Sequence, residues 1–109
     1  MSLFDASDAA LRPAGFDPAL EPGLSNVEAE CLACHEVNGY GRDKVRGNLA
    51  AVARGLTMSD FVQWVLEPSA VKPVTTMPAL WPQAPEAERR TAAESTYKYL
   101  SQVPVAPHP

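Results

Sequence analysis

From Gly23 onward, apolar positions recur at helical spacing: Leu24, Val27, Cys31 and Cys34 stand three and four residues apart, with Glu28 and Glu30 on other faces, as in an amphipathic helix. Ser25 or Asn26 is suited to cap its start. A second pattern puts Phe61, Trp64 and Val65 on one face, with Thr57 or Ser59 as cap and Pro68 as its end. The longest runs from Glu86 to Val103, with Ala93, Tyr97 and Leu100 in register, acids early in the run as the helix dipole prefers, and Pro104 and Pro107 beyond it. Between these runs, residues 38–54 carry Gly39, Gly41 and Gly47 and read as a loop with at most a helical turn over 49–53. Residues 67–85 hold Pro68, Pro73, Pro78, Pro82 and Pro85, too many for a helix or a central strand, yet also Met77, Leu80 and Trp81. The pattern predicts an all-α protein of three to five short helices and no strand pair.

The organisation follows from the same pattern. Residues 1–22, with Pro13, Pro18, Pro22 and Gly15 among few periodic apolar positions, are expected to form an extended N-terminal arm or linker; 23–103 form the domain and 104–109 a flexible tail. At 109 residues there is room for one core only. The helices are short and Ala-rich, so the interior they build is thin, and a large apolar cofactor would supply the missing volume. Thirteen Asp and Glu against nine Lys and Arg give a net charge of −4, which argues against a general nucleic-acid binder. The longest apolar candidate, Phe61 to Leu66, is far too short to span a bilayer. The first residues lack the basic and apolar regions of a secretory signal, so the chain is expected to be cytoplasmic or to have lost an export segment.

The chemistry is concentrated in Cys31-Leu32-Ala33-Cys34-His35, which holds the only two cysteines and has the C-x-x-C-H pattern of covalent c-type haem attachment. On one turn, two thiols can add to the two vinyl groups of a porphyrin while the next residue sets an imidazole under the iron. A C-x-x-C redox pair would call for a βαβ context that the pattern does not offer. Structural zinc needs four N or S ligands, and beyond these three there is only the remote His108. A disulfide between Cys31 and Cys34 would close a very short loop and leave His35 unexplained. A six-coordinate iron takes a second axial donor. Met77, in the proline-braced run Val74-Thr75-Thr76-Met77-Pro78, is the first candidate, with Met58 or an open position as alternatives.

The chain resembles a class I cytochrome c of the small bacterial kind over about residues 23–101. Gly23 and Val27 precede Cys31 by eight and four residues, where that family has a glycine and usually an aromatic, and Tyr99-Leu100 resemble the aromatic-Leu pair of its terminal helix. Phe61, Trp64 and Pro68, then Met77-Pro78, are similar to its helix, proline turn and methionine loop. The resemblance implies the cytochrome c fold wrapped around one covalent haem c, six-coordinate through His35 and Met77. It implies that Trp64 turns a ring to the haem near the methionine and that Thr75 meets a propionate. Gly47 stands where a proline carbonyl accepts the histidine's Nδ1 proton, and Val74 replaces a turn glycine. The basic residues Arg42, Lys44, Arg46 and Arg54 either rim the haem edge to steer a partner or neutralise propionates. A saturated haem has no free site for substrate, so the implied function is one-electron transfer between redox proteins by a monomer in the periplasm or another extracytoplasmic space, not catalysis. The alternatives are a ligand-binding haem sensor, or the haem domain or electron-transfer subunit of a larger redox enzyme.

Overall fold

The structure, a computed structural model, describes residues 11–13, 15–32, 34–41 and 48–105. Among the described residues five α-helices follow one another: α1 (Glu21–Glu30), α2 (Leu49–Arg54), α3 (Met58–Leu66), α4 (Pro68–Val71) and α5 (Glu86–Gln102), with a 3-10 turn at Pro18–Leu20 ahead of α1. Among the described residues the only β-type pairing is two isolated bridges, Glu36 with Asn48 and Val37 with Tyr40. The all-α expectation is met. No helix of the described residues is long and apolar enough to cross a membrane.

The long C-terminal helix organises the rest. α5 starts after Pro85, carries Glu86 and Glu88 in its first turn, and stops before Pro104, which has no N–H to continue the ladder. Its buried positions Ala93, Thr96, Tyr99 and Leu100 form one stripe, and α1, α2 and α3 all pack on it. The tightest approach is to α1 at Gly23, where a Cβ would lie 2.1 Å from the Ser95 carbonyl oxygen and 2.8 Å from Tyr99 Cβ. Glycine is therefore required there for the two backbones to touch. Asn26 crosses the same contact, its side-chain N–H donating to Ala92 O and Thr96 Oγ1, both at 3.2 Å.

Two boundaries differ from the sequence expectation, and proline explains both. α1 begins at Glu21 rather than Gly23, with Pro22 in its first turn and no side-chain cap, so neither Ser25 nor Asn26 caps it. Pro68 does follow the end of α3, but it also opens the extra turn α4. Proline lacks only an N–H that the first turn does not use, and its φ suits a helix start. Thr57 caps α3 as expected, its Oγ1 accepting from Asp60 N at 3.1 Å.

The part of the expected arm that the structure describes is anchored to the body. Leu11 is fully buried, its carbonyl accepts from the Tyr99 hydroxyl at 2.7 Å, and Phe16 meets the Tyr99 ring edge-on at 6.1 Å. Arg12 pairs with Glu21 of α1, which holds that carboxylate below its ordinary pKa. Residues 1–10 of the arm and 106–109 of the tail lie outside the described residues. The core is one continuous cluster around Phe61, Tyr99 and Leu100, with Leu24, Val27, Val37 and Val65 closing it.

Candidate functional site

α1 ends at Glu30, and the cysteine motif continues it as a tight turn. Cys31 N donates to Val27 O at 2.9 Å, Cys34 N to Cys31 O at 3.2 Å, and His35 N to Cys31 O at 3.0 Å. That last bond has the i to i+4 spacing of an α-helix, so Cys31 and His35 are one helical turn apart. Neither cysteine is in a disulfide; Cys31 is buried and Cys34 exposed.

Beyond His35 the chain reverses at once. Val37 and Tyr40 exchange backbone hydrogen bonds of 2.8 and 3.0 Å around Asn38-Gly39, which have φ of 52° and 90°, the positive values of a two-residue hairpin turn. Gly41, with φ of 145°, then packs on the motif so closely that a Cβ would lie 2.2 Å from the His35 carbonyl oxygen. The buried Glu36 side chain accepts from Gly39 N at 2.9 Å, and its carbonyl accepts from Leu49 N at 2.8 Å. Asn48 locks the junction: its Oδ1 accepts from Asn38 N and Ala50 N, and its Nδ2 donates to Asn38 Oδ1. The backbone carrying His35 is thus fixed on both sides.

A cleft opens beside this turn. It is lined by Glu30, Cys31, Cys34 and His35 from the motif and by Thr76, Met77, Pro78 and Leu80 from the proline-rich loop, and holds about 660 Å³ of empty space, its open mouth included. Two thiols and an imidazole from the end of α1 therefore share a cleft with a thioether from a distant loop. Met77 belongs to the site, whereas Met58, also half-buried, packs against the core at the start of α3.

The other expected site residues fall around this cleft rather than in it. Trp64 is half-buried on α3, edge-on to His35 with ring centroids 6.1 Å apart and to Phe61 at 5.8 Å. It braces the histidine side. Thr75 is spent locally, its Oγ1 accepting from Met77 N at 3.1 Å, and its neighbour Thr76 lines the cleft instead. Arg54 is tied into the body, donating to Ala50 O at 3.2 Å and Leu100 O at 3.3 Å. Gly47, Arg42, Lys44, Arg46 and His108 lie outside the described residues. Sequence reasoning gave no site role to Asn48, placed Gly41 only among the loop glycines, and named Leu80 only among the apolar residues of the proline-rich loop.

Burial pushes the Cys31 thiol up to about 12, with the Glu30 carboxylate adding to the shift. A thiol held protonated is a poor nucleophile in disulfide exchange, whose attacking cysteine is normally shifted down. Among the described residues, no three His, Cys, Asp or Glu side chains are grouped to hold a metal ion by themselves. The donor set of the cleft, two thiols with an imidazole and a thioether, is that of a covalently attached haem, and its residues fit that group.

Comparison with known proteins returns no match: no family model fits the chain, and no curated protein or solved structure is significantly similar to it.

Proposed function

We infer that this chain binds one haem covalently and carries single electrons between redox proteins. The observation that carries the reading is the cleft that Met77 lines together with Cys31, Cys34 and His35. Haem supplies a reversible one-electron couple at its iron when bound. Each cysteine contributes one thioether: its sulfur bonds one carbon of a vinyl group and its hydrogen goes to the other, with no net oxidation. His35 would offer a ring nitrogen to the iron, from a backbone that Gly41 and Glu36 hold in place. Met77, from the loop that lines the same cleft, would offer its thioether, a soft donor that favours ferrous iron and raises the potential relative to a second imidazole. Leu80 and Pro78 give that part of the lining its apolar character.

With His35 and Met77 both holding the iron, no coordination site would remain for a substrate, and electron transfer would be the chemistry left. Attachment requires reduced thiols to meet haem with the attachment machinery of an extracytoplasmic compartment, where we place the mature protein, as a monomer. The deciding experiment is spectroscopic. The ferric protein is expected to show the long-wavelength sulfur-to-iron absorbance of methionine ligation, and the ferrous protein to resist carbon monoxide. Avid binding of carbon monoxide by the wild type would replace the carrier with a ligand-binding haem sensor.

A further inference from the structure

Arg89 lies in the second turn of α5, a helix that contributes no lining residue to the cleft. Its guanidinium nevertheless reaches the methionine loop. Nη2 donates to Leu80 O at 2.9 Å and to Leu66 O at 3.0 Å, and Nε donates to Leu80 O at 3.1 Å. Leu80 N in turn donates to Val65 O at 3.0 Å. Val65 and Leu66 are the last residues of α3, where carbonyls lack in-helix donors and a cation is favoured by the helix dipole. One arginine thus satisfies a helix end and a loop carbonyl together.

Leu80 is the buried wall of the cleft three residues after Met77. Nearer the loop's middle the bonds are local: Thr75 N donates to Lys72 O at 3.0 Å, and Met77 N to Thr75 Oγ1. On the other side of Leu80, Trp81 has a φ of 50°, a value that bulky side chains seldom adopt and that persists only where the surroundings impose it. The exit of the loop is therefore over-determined at Leu80, while its tip, with Val74 almost fully exposed, is not.

We propose that Arg89 is a positioning residue for Met77: by clamping the Leu80 carbonyl to the end of α3, it sets the distance at which the loop presents its thioether to the cleft. The clamp stands on geometry alone; its effect on an iron ligand rests on the haem reading above. Arg89→Gln removes the charge and the forked donor, whereas Arg89→Lys keeps the charge and a single donor group.

The test is an imidazole titration of the ferric holoprotein, because imidazole enters only when Met77 leaves. Arg89→Gln is expected to bind imidazole roughly tenfold more tightly or better, through a larger population of the open loop, with Arg89→Lys intermediate. In a Met77→Ala background the same Arg89→Gln change is expected to alter affinity by less than about twofold, since there is no thioether left to displace. An unchanged affinity in Arg89→Gln, or an equal shift in both backgrounds, overturns the proposal. Hydrogen exchange supplies a second, haem-independent reading: Arg89→Gln is expected to speed exchange over residues 72–81 while leaving α1 and the centre of α5 unchanged, and uniform acceleration, or none, overturns the clamp. Should wild type bind imidazole as readily as Met77→Ala, the ligand reading falls and the exchange result still decides the clamp. If Arg89→Gln does not fold, Arg89→Lys carries both measurements.

Discussion

Where α1 crosses α5, two backbones touch at Gly23, Asn26 bridges to Ala92 and Thr96, and the Tyr99 side chain is wholly enclosed. Around Met77, Val74, Pro78 and Ala79 face solvent, Met77 is half-buried, and Leu80 is the residue that reaches the core. The first region satisfies its own packing and hydrogen bonding. The second is an apolar wall with empty space in front of it, held from behind by Leu80 and Arg89. The close packing of this crossing and the open cleft lined by thiols, imidazole and thioether are thus different regions of one chain.

That contrast can be broken most forcefully at the crossing. Gly23→Val puts side-chain atoms where the Ser95 carbonyl already lies, and the helices have to separate. We expect a loss of about 3 kcal/mol or more in urea unfolding, large enough to unfold a small domain. Little change would mean that the crossing is not the tight contact described here.

Leu11→Ala extends the same test to the segment ahead of α1. A fully buried leucine cut to alanine costs about 2–4 kcal/mol, whereas a residue of a frayed arm would cost almost nothing. Tyr99→Phe comes next, at about 1–2 kcal/mol, because it leaves the Leu11 carbonyl without its hydroxyl donor. It also changes the pH profile. Burial raises the Tyr99 hydroxyl above its ordinary value of 10.0, so the folded chain holds a proton that the unfolded chain releases. The stability this provides is complete below pH about 10 and declines as the pH rises beyond it, and thermal melts of Tyr99→Phe across that range are expected to lack this decline.

On the cleft side the ranking reverses, with small effects on folding and large ones on ligand access. Met77→Ala is expected to cost about 1 kcal/mol or less in stability, since the side chain is only half-buried, while allowing carbon monoxide to bind the ferrous protein and lowering the potential. Met58→Ala is expected to leave both unchanged. If Met58→Ala opened the haem and Met77→Ala did not, the cleft would have been matched to the wrong loop.

The three main helices were legible because each repeats its apolar residues at helical spacing and has a proline or a capping residue at one end at least. The errors share a cause. Pro22 and Pro68 were read as breakers, yet each occupies a first turn, where proline is tolerated and the sequence looks the same. The burial of Leu11 could not be read from one leucine among prolines, because it depends on Tyr99, 88 residues away. The site was half legible: the spacing of Cys31, Cys34 and His35 is local, and the proline brace singled out Met77, which lines the same cleft. Trp64 and Thr75 were assigned by resemblance, and their observed partners are His35 and the Met77 amide. Arg89 was invisible because its partners, the carbonyls of residues 66 and 80, become neighbours only when α3 ends where it does.

The central claim is that Cys31 and Cys34 hold one haem by covalent bonds beside His35. Its most direct test is to produce the chain in an extracytoplasmic compartment with haem-attachment machinery, denature it, extract it with acid acetone, and weigh the intact polypeptide. The account predicts that the pigment stays with the protein and that the mass rises by one haem, with Cys31→Ala/Cys34→Ala retaining none. Pigment that extracts completely, or an unmodified mass under these conditions, would contradict it.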